Sequence, residues 1–565
     1  MREVYRKKSL LSTLLIAVLI GSFLLAASSF SMVRAATNVS STIINQDTTW
    51  TQANSPYTLT GPVAVNTGAT LTIEPGVTVY FNNYYIQVNG TLIAKGTSSD
   101  YIQLTGGGSI TFSPNSNGWN EQTESGSIIE NANITTTLIV NQVALKIDNN
   151  HINYGFSING GSSLVTNNIM AAISISVNDG SPTFSNNVGP FAISIINASP
   201  TLYNNSIDTL YFNLGGGGGG DPIIVNNTIR DLSQVVSGAA TLPQIDSATI
   251  TGNLILSGVS FESASAVVSN NVIESTLHVK EDGGILVISN NTIIAPPTFV
   301  QGNIMFQTQD HYATYDGVDV EGSLTSANIS DNIIDDSAVG ISIAQATIVT
   351  IERNAVLNST GISVNSSGNL TVEHNYVSGS LTANADTAAT IQDNTLTNGF
   401  GGNVPATSTL TGNNILGGFW WSSSSNINAT YNWWGTTDQQ AINQTIHDSK
   451  NDFNLGTVSF VPFLTAPIPD APTSPTDIPT KITTSTSTAT PTQTENPSAS
   501  PSDNSTAPSN QSGTKVDANP GIDWMQIALL TTLGVIVALI IVIIALARKK
   551  NPKCDSKLGT EPLVE

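Results

Sequence analysis

Six titratable residues cluster at two adjacent positions of a repeating pattern in the second half of the chain. This charged column consists of Asp331, Glu352, Arg353, Glu373, His374 and Asp393. If successive copies of the repeat stack, these groups come within about 5–10 Å of one another, close enough to shift each other's pKa. A carboxylate pair with an arginine and a histidine could carry out acid–base chemistry on a sugar. We favour the other interpretation, in which opposite charges alternate along an exposed stack and stabilise it by a few tenths of a kcal/mol per pair.

A second group of carboxylates is a candidate calcium site. It consists of Asp316, Asp319 and Glu321, and carboxylate oxygens are the ligands that calcium prefers. The segment from Asp316 to Glu321 lacks the alternate-residue spacing of a calcium loop. A solvated loop is therefore the favoured interpretation, and the sequence indicates no resident cofactor.

Four tryptophans near the end of the repeats could contact a ligand. Trp420, Trp421, Trp433 and Trp434 could form a platform on which sugar rings stack. We favour a structural role, in which the four indoles seal the last repeat against water.

Charge and cysteine content exclude several classes of protein. The 565 residues contain 18 Lys+Arg against 40 Asp+Glu, a formal net charge of −22. Such a chain repels phosphate backbones, so nucleic-acid binding is excluded. The single cysteine, Cys554, lies near the C-terminus, so the rest of the chain has no disulfide framework and no cysteine-based zinc site.

The elements that must position these residues come from an internal repeat. An apolar residue, two variable residues, an asparagine, any residue and a second apolar residue recur every 18 to 22 positions, except for one interval of 26 and one of 41. The recurring asparagines are Asn150, Asn168, Asn187, Asn205, Asn227, Asn253, Asn271, Asn291, Asn332, Asn354, Asn375, Asn394 and Asn413, with Asn131 before and Asn432 after them in the same step. We interpret the 41-residue interval as two steps with one disguised copy. Short alternating β-branched runs at this period predict an all-β fold, a single right-handed parallel β-helix of coils of about 20 residues.

One asparagine per coil has a structural explanation. Asparagine tolerates the left-handed backbone conformation that a sharp bend needs. Identical amides stacked about 4.8 Å apart can also hydrogen-bond to one another in a ladder. We therefore expect a structural ladder and about fifteen coils between Asn131 and Asn432, with three or four more before them.

Segments at both ends of the repeats resemble a known group of proteins. The runs 68–81 and 86–96 resemble the opening coils of right-handed parallel β-helix surface proteins, and 431–435 with 458–464 resemble their closing motif. The chain thus resembles the NosD-like or pectate-lyase-like β-helix superfamily, in particular its membrane-anchored archaeal or bacterial surface proteins. The resemblance implies lyase, hydrolase, adhesin or scaffold functions. The Gly-His-Gly segment of the related hydrolases is absent. Arg230 and Arg353 are the only arginines outside the two ends of the chain, so the basic residue that the related lyases use to abstract a proton has few candidates.

The remaining segments predict export and anchoring. A basic start, an apolar run and small residues indicate a signal peptide over 1–36, followed by an N-terminal cap with opening coils over 37–130 and repeats with a C-terminal cap over 131–468. A Pro/Thr/Ser-rich segment, 469–520, predicts a disordered stalk. An uncharged apolar run predicts one transmembrane helix over 524–547, and the basic tail 548–565 then lies in the cytoplasm.

Glycosylation motifs are frequent. Candidate acceptors are Asn38, Asn89, Asn133, Asn197, Asn328, Asn358, Asn365, Asn369, Asn428 and Asn443. An exported solenoid would present such residues at its surface.

These observations favour a non-enzymatic cell-surface protein held in the membrane by one C-terminal helix. Its expected roles are structural, adhesive or glycan-contacting, with extracellular glycans or envelope components as partners. The alternative is a surface polysaccharide lyase or glycoside hydrolase whose site lies at the charged column.

Overall fold

The computed structural model describes residues 36–212, 220–234, 247–262, 265–294 and 316–478. These residues form an all-β right-handed solenoid of about 16 turns. The predicted signal before residue 36, the predicted stalk from residue 479 onward, the predicted membrane helix and the basic tail lie outside the described residues. Residues 469–478 of the predicted stalk are described, and their buried side chains Ala471 and Ile478 contradict disorder at its start. Within the described ranges, no helix has the length and apolar character needed to cross a membrane.

Most turns contain three strands, and each strand pairs in parallel with its equivalents in the neighbouring turns. We name the resulting sheets face I, face II and face III, in the order in which the chain passes through them. The strands of face I are Thr37–Val39, Tyr57–Leu59, Thr78–Tyr80, Ile102–Thr105, Ala132–Ile134, His151–Ile152, Ile169–Met170, Leu254–Ile255, Val272–Ile273, Thr292–Ile294, Ile333–Asp335, Ala355–Val356, Tyr376–Val377, Thr395–Leu396 and Asn414–Ile415. The strands of face II are Thr42–Ile44, Val63–Val65, Tyr85–Val88, Ser109–Phe112, Thr137–Asn141, Phe156–Asn159, Ser174–Asn178, Ala192–Ile196, Val259–Glu262, Leu277–Asp282, Ser380–Ala385, Gly399–Asn403, Gly418–Trp421 and Ile446–His447. The strands of face III are Thr48–Trp50, Thr70–Ile73, Thr91–Lys95, Ile128–Glu130, Lys146–Asp148, Leu164–Thr166, Thr183–Ser185, Thr201–Tyr203, Ile223–Val225, Ala248–Thr251, Ser265–Ser269, Ile285–Ser289, Ala388–Gln392 and Thr409–Thr411.

Five longer strands continue around a corner. Ser206–Phe212 and Thr228–Gln234 run from face I into face II, whereas Val318–Ser330, Ile341–Glu352 and Gly361–Glu373 run from face II into face III.

Side chains alternate along each strand, so one set fills the interior and the other faces outward. In the strand Thr70–Ile73, Leu71 and Ile73 are buried while the two threonines remain partly exposed. Leu71 stacks on Leu92 of the next turn in exact parallel register. Repetition of this stacking joins the buried aliphatic residues into one apolar core that runs through the described turns.

The asparagine ladder is confirmed. Each ladder amide is buried, and its Nδ2 donates to the Oδ1 of the next ladder asparagine at 2.9 to 3.1 Å, from Asn150 to Asn432. The same Oδ1 also accepts the backbone N–H of the preceding ladder residue, as in Asn150 with Asn168. Asn131 does not belong to this ladder, because Ala132 occupies the ladder position and donates its backbone N–H to Asn150.

The prediction that the ladder asparagines supply the left-handed bend is wrong by one residue. The positive φ angles belong to the residue before each ladder asparagine, for example Asn149 (φ 53°), Asn167 (φ 56°) and Asp331 (φ 58°). This residue makes the corner and points outward, and the next residue can then direct its amide into the core. We call these preceding residues the corner column.

The interpretation of the 41-residue interval as two steps is also wrong. Asn291 donates directly to Asn332, and the strand Ile285–Ser289 pairs with residues 326–330. The interval is therefore a single turn with an insertion between faces I and II. This removes one turn from the number that the sequence predicted.

Aromatic residues close the C-terminal end. The ring of Trp434 lies 5.7 Å from that of Phe419 and 6.2 Å from that of Phe460. The short strands Ile427–Asn428 and Val458–Ser459 pair beside them, and a helix, Gln439–Thr445, precedes the last strand of face II. These contacts cover the apolar end of the core that the last full turn would otherwise expose.

Candidate functional site

The charged column lies where face III meets face I, and its centre is an ion-pair network. The guanidinium of Arg353 donates from Nε to Asp331 Oδ1 at 2.7 Å and from Nη2 to Asp331 Oδ2 at 2.9 Å, and its Nη1 contacts Glu352. The hydrogen bonds to Asp331 raise the pKa of Arg353, although partial burial acts in the opposite direction. A guanidinium that stays protonated between two carboxylates cannot serve as the base that abstracts a proton.

The rest of the charged column forms a second, looser group. His374 Nε2 lies 3.8 Å from Asp393 Oδ2, and Glu373 lies opposite Glu352 in register. Desolvation raises the pKa of Asp393, as does the charge of Asp470, whereas His374 opposes the shift. The six residues are thus brought together as stacked neighbours on successive turns. Four of them occupy the corner column, where other turns carry asparagine, glycine or, at Tyr431, tyrosine, and this placement favours a structural role.

A different group of potential ligands converges on face II. His278 pairs in register with Asp319, and Glu321 follows two residues later on the same side of the strand. One potential ligand atom from each of the three residues lies within 4.8 Å of the other two. His278 Nδ1 lies 2.9 Å from Asp319 Oδ2, and the two side chains are 26% and 16% exposed. An imidazole and two carboxylates could hold a divalent metal ion here.

Asp316, the third predicted calcium ligand, takes a different position. It is buried at the corner that leads into face II, and its Oδ1 accepts the backbone N–H of Val339 at 3.2 Å. The group around His278 contains Asp319 and Glu321 but not Asp316. The predicted carboxylate triplet is therefore replaced by a set that includes a histidine.

Sequence reasoning missed His278 because of the 41-residue interval. With two turns in that interval, His278 and Asp319 would lie about 10 Å apart. With one turn they are direct neighbours. The available signal was the alternation in the strand Leu277–Asp282, which places His278 and Lys280 on its outward side.

Face II continues from this group as a row of small polar side chains. We call the outward residues of five successive turns the polar strip. In register order, the residues that follow Asp319 are Ser342, Ser363, Thr382, Gly401 and Trp420. Beside the strip, Asn384 Nδ2 donates to Asn365 Oδ1 at 2.8 Å, and Asn384 Oδ1 accepts the backbone N–H of Asn403 at 3.1 Å. The strip thus contains three hydroxyl side chains, a glycine and the ring of Trp420, with amides beside it, and His447 follows Trp420 in register on the last strand of face II.

Trp420 does not share the sealing role predicted for the four tryptophans. Trp421 and Trp434 are buried, whereas 56% of Trp420 is exposed. The indole of Trp420 lies over Gly418, where an added Cβ would come 2.0 Å from the ring. The neighbouring turn carries Gly401 in the same column, so no side chain covers the indole from that direction. Trp420 therefore presents an exposed apolar ring beside the hydroxyls of the strip.

The glycosylation candidates divide by exposure. Asn38, Asn328, Asn358, Asn365, Asn369, Asn428 and Asn443 are exposed, and Asn89, Asn133 and Asn197 are half-buried. The amide of Asn133 already donates to Gln103 at 3.0 Å, which makes this residue a poorer acceptor than the exposed group.

Comparison with known proteins agrees with the coil geometry. Residues 257–433 match a family model described as a right handed beta helix region. No curated protein and no solved structure matches the chain at a significant level. The match and the parallel turns together support one conclusion, that this is a right-handed parallel β-helix protein.

Proposed function

We propose that this chain is an exported, membrane-anchored β-helix protein whose polar strip binds an extracellular glycan without catalysis. The observation that carries the proposal is the exposed ring of Trp420 at the end of a row of hydroxyls. An indole offers a flat apolar face, and hydroxyl and amide groups supply the polar contacts that a sugar requires. A parallel sheet repeats these groups about every 4.8 Å, which suits a linear polymer rather than a compact ligand.

The charge pattern supports binding rather than turnover. Arg353 is neutralised by two carboxylates, and the hydroxyl-bearing turns of the strip carry no charged residue in the same outward column. The acidic composition also disfavours anionic polymers, so we expect a neutral or cationic glycan. Anchoring through residues 524–547 is proposed from their apolar sequence alone.

The test is a glycan array probed with the full chain in detergent, with and without calcium. We expect binding to a small set of neutral or cationic glycans and a loss of at least tenfold in affinity for Trp420→Ala, because stacking on the indole is removed. Phe453→Ala is the matched control, since Phe453 is a 98% exposed aromatic residue outside the strip. Equal binding by wild type and Trp420→Ala would refute the assignment of the strip.

A second variant keeps the indole of Trp420 but changes its orientation. Gly418→Ala places a methyl group against the indole and must tilt it, while the backbone at this position needs no unusual φ. We expect weaker glycan binding with little change in melting temperature. Release of sugar from a polysaccharide that disappears in Arg353→Ala would instead support the lyase or hydrolase alternative.

A further inference from the structure

We propose that His278, Asp319 and Glu321 form a binding site for one divalent transition-metal ion of the Zn²⁺ class on face II. This inference does not rest on glycan binding, and its test measures the metal directly. The three residues come from two successive turns, with His278 on the first and both carboxylates on the second.

The geometry is that of a converging ligand set. Three potential ligand atoms lie within 4.8 Å of one another, and one pair among them, His278 Nδ1 and Asp319 Oδ2, is 2.9 Å apart. Ligands around a zinc ion at about 2.0–2.2 Å stand roughly 3–3.5 Å from one another, so only small side-chain rotations are needed. His278 and Asp319 are each held on a rigid strand, and their low exposure limits the number of alternative rotamers.

The choice of metal follows from the donor atoms. One imidazole nitrogen with two carboxylates suits zinc, manganese or a similar ion, whereas calcium selects oxygen donors only. Three protein ligands would leave at least one coordination position for water or a ligand. A calcium site built from Asp316, Asp319 and Glu321 fits less well, because Asp316 is bound to a backbone N–H at another corner.

The charges around the site favour a cation. The carboxylates of Asp319 and Glu321 lie within 4.8 Å of the imidazole of His278 and give the site a negative potential that attracts a metal ion. Lys280 acts in the opposite direction, and it lies opposite Glu321 in register.

The competing explanation is an ordinary ion pair between protonated His278 and Asp319. It accounts for the 2.9 Å contact, with Glu321 adding only a favourable negative charge, and it predicts no metal binding. The two explanations therefore differ in their predictions for two variants. Only the metal site predicts that Glu321→Gln weakens Zn²⁺ binding and that Lys280→Gln tightens it.

The experiment is calorimetric titration of the full chain, purified in detergent and freed of metal by chelation, with ZnCl₂ and in parallel with CaCl₂. We expect one Zn²⁺ per chain, a preference for Zn²⁺ over Ca²⁺, and a rise in melting temperature on binding. His278→Gln and Glu321→Gln are each expected to weaken Zn²⁺ binding at least about tenfold, since loss of even an outer-shell partner costs that much.

Two further variants keep the result interpretable. His374→Gln is the matched control, because it removes another histidine that faces a carboxylate, at 3.8 Å, at the corner between faces III and I. Zn²⁺ binding should be unchanged. Lys280→Gln removes the opposing charge and should tighten binding severalfold, which misfolding cannot imitate. The proposal is overturned if wild type binds no Zn²⁺, if His278→Gln or Glu321→Gln binds as tightly as wild type, or if Lys280→Gln gains nothing.

Discussion

The corner column differs between two regions of the solenoid that share the same backbone. From Asn149 to Asn290 most of its residues are asparagines, and from Asp331 to Asp393 they are ionisable. The φ angles in both regions lie between 51° and 58°, apart from Gly252 at 68°. In the first region Asn204 donates to Asn186 at 2.7 Å, and in the second Arg353 donates to Asp331 at the same distance. The corner conformation is thus independent of the side chain that occupies it.

The buried ladder beside the corner column does not change between the two regions. Each amide still donates to the next at about 3 Å where the outer residues become charged. Burial explains this difference, because a buried polar group must find partners whereas an exposed one can use water. The ladder position is therefore constrained by hydrogen bonding, whereas the corner column is constrained only by backbone conformation. Arginine is rare in the left-handed region, so its presence at Arg353 depends on the ion pairs that surround it.

The largest expected effect comes from a change to the inner ladder in the charged region. The side chain of Asn354 donates to Asn375 Oδ1 and to the backbone oxygens of Ile329 and Glu352. Its Oδ1 accepts from the side chain of Asn332. Asn354→Ala leaves several buried groups without partners, so we expect a loss of about 3 kcal/mol or more in the free energy of unfolding. Asn271→Ala, in the amide region, should cost a similar amount. Thermal and urea unfolding of both variants measures this loss. A clear difference between the two variants would contradict the claim that the ladder is equally constrained in both regions.

A smaller effect is expected at the outer position. Arg353→Asn removes exposed ion pairs but introduces a residue that tolerates the left-handed conformation. The two contributions oppose each other, so the free energy of unfolding should change by less than about 1 kcal/mol. Arg353→Ala serves as the control, because it loses the ion pairs without that gain and should be the less stable of the two. A loss from Arg353→Asn as large as that from Asn354→Ala would show that the charged column is not merely a variant of the amide column.

The smallest expected effect is a pH dependence confined to the charged region. The folded-state pKa of Asp393 is raised by desolvation and by Asp470, with His374 opposing, so the folded chain binds this proton more readily than the unfolded chain does. The ionised carboxyl therefore costs stability above the folded pKa, and this cost falls as the pH drops through that pKa and is gone below the ordinary value of an aspartate.

The corresponding measurement compares His374→Gln with His374→Gln/Asp393→Asn, which removes the contribution of the histidine. The double variant should be the more stable by a few tenths of a kcal/mol at neutral pH, and the difference should disappear toward pH 3. A difference that instead grows on acidification would contradict the raised pKa.

Much of the fold could be predicted because apolar residues and asparagines recur at a fixed spacing. An asparagine between two apolar positions at a period near 20 has few stable solutions other than stacked turns, and the ladder from Asn150 to Asn413 has the predicted bonds. Which of two adjacent residues lies in the buried ladder and which forms the corner could not be predicted. Ladder and corner positions are adjacent and both accept asparagine, so Asn131 and Asn149 were indistinguishable from ladder residues by type.

The candidate site was less accessible to sequence reasoning than the fold. The charged column was predicted as a stack, and it is one, but its division into an Arg353–Asp331 pair and a His374–Asp393 contact depends on rotamers. Trp420 and Trp421 are consecutive, and only the alternation of the strand Gly418–Trp421 decides that one faces outward and the other inward.

The repeat is enough to predict that the chain winds into parallel turns and that one amide per turn bonds to the next. Those features follow from local periodicity and from the need to satisfy buried polar groups. Which outward residues meet across turns depends on the tertiary structure, because a single insertion changes the number of turns and moves every later residue relative to the earlier ones. His278 and Asp319 lie 41 positions apart in sequence and 2.9 Å apart in space for that reason.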